Sequence, residues 1–333
     1  MNNATAAPTA MRAIVQDTYG TAAVLQLAQA ARPTIADDEV LVQVRAAGLD
    51  RGTWHLMTGQ PYLMRIMGFG LRAPKNRVPG LDVAGTVAGV GSAVSGFAVG
   101  DEVFGISRGS FADLTAVRQD KLSHKPVNLT FEQAAVVPIS AGTALQALTD
   151  AGKVRDGQRV LIIGASGGVG TYAVQLAKAF GADVTGVCSK EKTDLVRSLG
   201  ADHVVDYTRH DFADTTERYD LIIDIAGNAA LSRLRSALTP TGTLVIVGGE
   251  EGGRWTGGFG RSLRAPLLSM CVRQRLTMLV SKERASDQER LKGLIEAGKV
   301  TPAIDSTYPL SRVPEAMRRL AAGDVRGKVA ISL

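Results

Sequence analysis

The residues best placed to do chemistry lie in the stretch VLIIGASGGVG, residues 160–170. Apolar residues run into Gly164, Gly167, Gly168 and Gly170, and the helical pattern TYAVQLAKAF follows at once. Glycine has no Cβ, so the backbone of such a turn can approach a phosphate closely. The helix behind it offers free N–H donors and the positive end of its dipole to the same ligand. The spacing departs from G-x-G-x-x-G by one residue inserted early. A strand before and a helix after still give the context that a dinucleotide pyrophosphate site needs. Ser166, Gly167, Gly168 and Val169 are therefore candidate cofactor residues, and the alternative is a structural turn with no ligand.

The tip of the next strand, in DVTGVCSKEK (183–192), bears on which dinucleotide fits. A site for NAD usually carries an acid there, about 20 residues past the glycines, to accept from the ribose 2′-OH. Here the tip is Cys188-Ser189-Lys190, with Lys192 just beyond. Asp183 is at the wrong end and Glu191 sits between two lysines. A hydroxyl with ammonium groups suits a 2′-phosphate, which an acid would repel. The pattern predicts NADPH, with Ser189 and Lys192 as contacts. The alternative for the lysines is a solvated helix start, where the dipole disfavours cations.

These motifs need elements to hold them. Residues 11–130 read as mostly β, in short β-branched runs such as EVLVQVRAAG and DVAGTVAGVG broken by turn signals. Between them, RGTWHLMTGQPYLMRIMGFGLRAP reads as a loop with a short helix at the wall of a cleft. From 131 the pattern changes: Thr130 and Gln133 form a capping box ahead of an Ala-rich helical stretch. Strands at 159–163, 183–187, 203–206, 219–224 and 243–247 then alternate with helices at about 169–180, 191–199 and 229–238. Such alternation implies a parallel sheet with right-handed crossovers. The closing strand KVAISL needs a partner, most simply in the N-terminal β part. The expected fold is α/β: a doubly wound parallel sheet over 131–298, and a mostly β domain formed by 1–130 with 299–333.

Composition narrows the function classes. The 333 residues carry a net charge of +6, with Lys and Arg dispersed and no basic run of five or more. Nucleic acid is therefore not expected as a main ligand. The two cysteines, Cys188 and Cys271, form no CxxC pair, which points to a reducing, cytoplasmic setting. No apolar run reaches the roughly 18 residues that span a bilayer. The start, MNNATAAPTA, lacks the charge and apolar core of a signal peptide and reads as a disordered tail.

Several motifs in order resemble the medium-chain dehydrogenase/reductase superfamily: PGLDVAGTVAGVG (79–91), VGDEVFG (99–105), SAGTALQAL (140–148), GASGGVG and LGADHVVDY (199–207). The similarity spans nearly all of 11–333 and is strongest to the zinc-free quinone oxidoreductase-like branch. It implies a GroES-like β domain completed by the C-terminal segment, a Rossmann domain, an active site between them, and a homodimer. Zinc members place Cys, His-Glu and Cys where this chain has Asp50, Leu81-Asp82 and Pro138, a poor zinc donor set. No metal site is expected. The reaction implied is hydride transfer from NADPH to an acceptor activated by conjugation, a quinone or an α,β-unsaturated carbonyl compound.

The resemblance also carries residue roles. The branch usually has Asn at position 50 on the nicotinamide ribose; Asp50 could accept there but not donate, or it caps the helix holding Trp54 and His55. His55 and Tyr62 fall on cleft-lining positions, His55 as a proton donor or as a packed imidazole. Tyr207 and Lys192 match positions near the 2′-phosphate. Gly227, Asn228 and Gly248 end strands where nicotinamide would lie, with Asn228 alternatively a helix cap. Ser140 and Thr143 are candidates for phosphate or ribose, or simply core. The Gly-rich, basic segment 248–278 is expected to cover the substrate as mobile loops. Two other readings remain open: an enoyl-thioester reductase using Arg254, Arg261 and Arg264 as a phosphate path, and a non-catalytic NADPH-binding sensor, RNA-binding or assembly protein.

Overall fold

The computed structural model describes residues 10–214, 216–249 and 253–333. Apart from Ala10, the expected disordered tail lies outside them.

In order, the strands are β1 (Ala10–Val15), β2 (Gln26–Ala31), β3 (Glu39–Leu49), β4 (Asp82–Val90), β5 (Glu102–Ile106), β6 (Leu114–Arg118), β7 (Leu122–His124), β8 (Arg159–Ile163), β9 (Asp183–Cys188), β10 (His203–Asp206), β11 (Tyr219–Asp224), β12 (Leu238–Ile246), β13 (Arg275–Met278), β14 (Ile304–Pro309) and β15 (Lys328–Ser332). β1 and β2 form a hairpin. One seven-stranded sheet runs β14-β15-β3-β4-β5-β7, with β6 also on β3, and is antiparallel except for β14 on β15. The closing strand thus pairs Ile331 with Ala47 of β3, as its sequence position requires. A six-stranded parallel sheet runs β10-β9-β8-β11-β12-β13. Helices on both of its faces explain the unbroken apolar runs RVLII and LIID.

The core is continuous between the sheets. Ala46, Ala84 and Phe104 pack in one buried cluster with Ala134, Ala141, Leu145, Tyr172 and Val160. The helices between are short and small-chained: Phe131–Ala135, with the capping box of Thr130 and Gln133 formed, and Pro138–Gln146. Small side chains let these helices press close to both sheets.

Local preference misled in three places. QLAQAA (26–31) lacks β-branched residues, yet pairs with β1 through Ile14 opposite Leu27. The expected strand 243–247 starts earlier, at Leu238, so the helix before it stops at Ala237. The segment 248–278 is not all loop: a helix spans Phe259–Ser269 despite Pro266, and β13 follows.

Candidate active site

The glycine turn is built around backbone contacts. Gly167 is the N-cap of the helix Gly168–Ala179, and no side chain caps it. Its first N–H groups are therefore left to a ligand. A Cβ on Gly170 would stand 2.1 Å from the Gly164 carbonyl oxygen, and Gly164 itself has φ +87°. Only glycine allows both. A Cβ on Gly167 would meet nothing nearer than 3.4 Å, so the close approach there is left for something outside the turn. Gly164 and Ala165 N–H both donate to Val187 O, which fixes the turn to the end of β9.

A second turn faces it across the carboxyl edge of the parallel sheet. Gly227 has φ +77°, and a Cβ there would lie 2.6 Å from Gly248 O. Gly227 N–H donates to Asp224 Oδ1 at 3.0 Å. Asp224 is fully buried, and Arg261 Nη1 reaches its Oδ2 at 2.6 Å. The same guanidinium donates to Ala229 O (2.7 Å) and Gly248 O (3.3 Å). Burial raises the Asp224 carboxyl above its ordinary range, while Arg261 and the Gly227 N–H pull it down. The helix after this turn runs Leu231–Ala237 with Ala230 at its N-cap position and no side-chain cap, so Asn228 does not take the alternative capping role.

The floor holds an ionic cluster drawn from three distant parts of the chain. Asp50 caps the helix Arg51–Thr58: its Oδ1 accepts from Thr53 N–H at 2.7 Å and Thr53 Oγ1 at 3.1 Å. Of its two expected roles, the cap is formed; its Oδ2 is buried without a hydrogen-bond partner. Asp82, on β4, is fully buried and accepts from Ile139 N–H at 2.8 Å. Lys328, the first residue of β15, is 1% exposed, with Nζ 3.6 Å from Asp82 Oδ2. That ammonium donates to Ser140 Oγ at 2.8 Å. Burial pushes the Asp82 carboxyl up to about 7, offset by Lys328 and reinforced by Asp50. Thr143 is not a free hydroxyl, since it donates to Ile139 O at 2.7 Å.

The wall comes from 51–71. His55 Nδ1 is 2.8 Å from Gln60 O, the backbone partner that a packed imidazole finds. Tyr62 N–H donates to Arg254 O (2.8 Å), and Leu63 N–H to Trp255 O (3.1 Å). The rings of Tyr62 and Trp255 meet edge to face at 5.5 Å. The two halves of the chain are thus clasped where an acceptor would enter.

At the β9 tip, Ser189 stands at the N-cap position, without a side-chain cap bond, of a short turn that carries Lys190 and Lys192. Lys192 Nζ donates to Gly323 O (3.1 Å) and Val325 O (3.0 Å), at the carboxyl end of the helix Val313–Ala322. A cation at that helix end is favourable, which resolves the awkward placement seen in the sequence. Tyr207 follows β10 and is 62% exposed. The sequence reading passed over Asp206, which pairs in register with Cys188 and is held ionised by Thr208. It also gave Asp82 no role beyond a replaced ligand and left Asp224 and Lys328 aside. Each carried a signal: a charge at the end of, or inside, an otherwise apolar strand run.

Among the described residues, no three metal-ligating side chains gather, and no helix is long and apolar enough to cross a membrane.

Residues 36–190 match the alcohol dehydrogenase GroES-like domain, and 199–331 match the zinc-binding dehydrogenase model. NAD(P)H oxidoreductase RTN4IP1, mitochondrial, of Mus musculus is 32% identical over 365 residues, covering 100% of this chain and 92% of its own. The chain belongs to the medium-chain dehydrogenase/reductase superfamily, in its quinone oxidoreductase-like branch. Another relative in the superfamily is the NADPH-dependent alkenal/one oxidoreductase, chloroplastic, of Arabidopsis thaliana, 34% identical, covering 97% of this chain and 80% of its own. The quinone oxidoreductase from Coxiella burnetii superposes with a TM-score of 0.85 at 28% identity, over 97% of this chain and 99% of that one. This superfamily member is therefore an oxidoreductase that uses a nicotinamide cofactor.

Proposed function

We propose that the protein is a zinc-independent, NADPH-dependent reductase of quinones or α,β-unsaturated carbonyl compounds. Residues 131–298 form its cofactor domain, and 1–130 with 299–333 its GroES-like domain. The observation that carries the reading is the uncapped helix start at Gly167–Gly168 facing the Gly227 and Gly248 turn.

The residues fit the cofactor. The N–H groups of Ser166, Gly168 and Val169 bind pyrophosphate, while Gly167, whose own N–H donates to Gly164 O at 3.1 Å, lets it approach by lacking a Cβ. Gly227, Asn228 and Gly248 bound the nicotinamide end. Ser189, Tyr207 and the third N–H of Lys192, whose other two go to Gly323 O and Val325 O, surround the 2′-phosphate, with Lys190 and Arg209 beside them; Glu191 and Asp206 are acids near it, and Arg209 Nε lies 3.8 Å from Asp206. Bound there, NADPH supplies the hydride. Tyr62 and Trp255, set edge to face, make an aromatic wall for a conjugated acceptor. Gln60 O accepts from His55 Nδ1–H, so His55 gives a proton to the reduced acceptor from Nε2 only in its imidazolium form, and water restores that proton. Asp50 and Ser140 face the ribose side.

A zinc ion does not fit. The Asp50 and Asp82 oxygens serve a helix cap, the Ile139 N–H and Lys328, and an ammonium 3.6 Å from Asp82 Oδ2 repels a dication. We further propose a homodimer through the edge strand β13 and the exposed face Leu263, Leu267 and Met270. The enoyl-thioester reading loses Arg261 from its phosphate path, because that side chain is spent on Asp224.

The test is oxidation of NADPH and NADH with a panel of quinones, enones and crotonyl thioesters. Turnover of quinones or enones with NADPH supports the reading. Turnover of thioesters alone favours the enoyl-thioester alternative. Tight NADPH binding without any turnover favours the non-catalytic one.

A further inference from the structure

Lys328 has no part in holding the cofactor in the reading above, yet its position is unusual. Its side chain runs beneath the first turn of the cofactor helix: a Cβ on Gly168 would lie 3.1 Å from Lys328 Cδ and 3.5 Å from Ser140 Oγ. The neighbouring Gly327 N–H donates to Ser166 O at 2.9 Å, so the start of β15 is tied to the glycine turn itself. Helix N-termini disfavour cations, and burying an ammonium is costly unless it is paired. Here the Asp82 carboxyl lies 3.6 Å from the ammonium. The placement makes sense if an anion arrives on the other side of the turn. A fixed charge in a water-poor site acts on that anion with little screening. Lys328 also uses an acceptor site of Ser140, which leaves the hydroxyl proton of Ser140 free to donate elsewhere.

We propose that Lys328 is a positioning residue for the dinucleotide: it lies under the glycine turn, orients Ser140, and adds fixed positive charge beneath the pyrophosphate. It rests on the nicotinamide-cofactor reading. Because the pyrophosphate is common to both dinucleotides, Lys328 acts on NADPH and NADH alike. Lys192, at the β9 tip, acts on NADPH alone.

The experiment measures dissociation constants for NADPH and NADH, with melting temperatures, for the wild type, K328M, K328M/D82N and K192A. Met fills much of the lysine volume, and Asn keeps the acceptor for Ile139 N–H, so the double variant removes the buried pair without leaving a lone charge. The expected result is an affinity loss of about tenfold or more for both dinucleotides in K328M. The double variant keeps that loss while its melting temperature returns toward wild type. K192A weakens NADPH only. If affinity recovers together with melting temperature in the double variant, Lys328 is merely structural and the proposal falls. It also falls if K328M binds both dinucleotides as the wild type does. A wild type that binds neither dinucleotide overturns the cofactor reading itself, and this proposal with it.

Discussion

Arg261 and Asp224 meet at 2.6 Å with the carboxylate fully buried. The pair joins the helix Phe259–Ser269 to the end of β11, and holds both the Gly227 and Gly248 turns. Removing one partner strands the other, which typically costs about 3–5 kcal/mol for a buried pair. R261M is therefore expected to lower the melting temperature sharply. The sign with pH follows from Asp224. An acid raised by burial adds stability below its ordinary pKa and loses it as pH rises through the folded value. Without Arg261 that value rises further, so the deficit of R261M grows as pH rises above the ordinary carboxylate range. Thermal unfolding of both proteins across that range checks it.

Asp82 gives a second pH signature. Its folded value of about 7 lies above the ordinary carboxylate range. The folded protein holds this proton where the unfolded chain has released it. Stability from this group is complete below about pH 4 and is lost as pH rises through about 7. The groups facing it are Lys328, Asp50 and the Tyr172 hydroxyl, which donates to Val136 O. D82N is expected to flatten the stability profile between pH 5 and 8, read as melting temperature against pH. A profile as steep as wild type would contradict this.

Asp50 separates two roles by substitution. Losing the cap in D50A costs about 1 kcal/mol. D50N keeps the cap oxygen and gains a donor, so its stability stays near wild type. Any change in its KM for NADPH then reports contact with the ribose rather than folding. Paired measurements of unfolding free energy and KM on both variants make the division.

Glycines differ in what they permit. In G170A the new methyl would meet backbone at 2.1 Å, so the turn must open; a loss of about 1–3 kcal/mol and of dinucleotide binding is expected. G293A lies inside the helix Ala285–Glu296 with open space around it, and should gain up to about 1 kcal/mol. Chemical denaturation distinguishes the two.

The parallel sheet was legible because RVLII, DVTGV and LIID are short apolar runs joined by helical patterns, and local periodicity suffices for that. The Gly164–Gly170 turn was legible for the same reason: it is built from contiguous backbone. The floor of the cleft was not. Asp50, Asp82, Ser140 and Lys328 come together only after β15 pairs with β3 and Ile139 N–H docks on Asp82. No window of sequence contains that contact. The helix Phe259–Ser269 was missed because Pro266 and the glycines before it oppose a helix locally, while Ala265, fully buried against the sheet, stabilises it. The lysines at the β9 tip stand out in the sequence as unusual at a helix start, but the helix end that receives Lys192 is 131 residues away.

The central claim is transfer of hydride from a bound dinucleotide to a conjugated carbon without a metal. Protein treated with a strong chelator, given NADPH dideuterated at C4 and an enone, tests it in one mass-spectrometric measurement of the product. The account predicts one deuterium on the carbon β to the carbonyl, at the rate of untreated protein. A product without deuterium, or transfer restored only by added zinc, would contradict it.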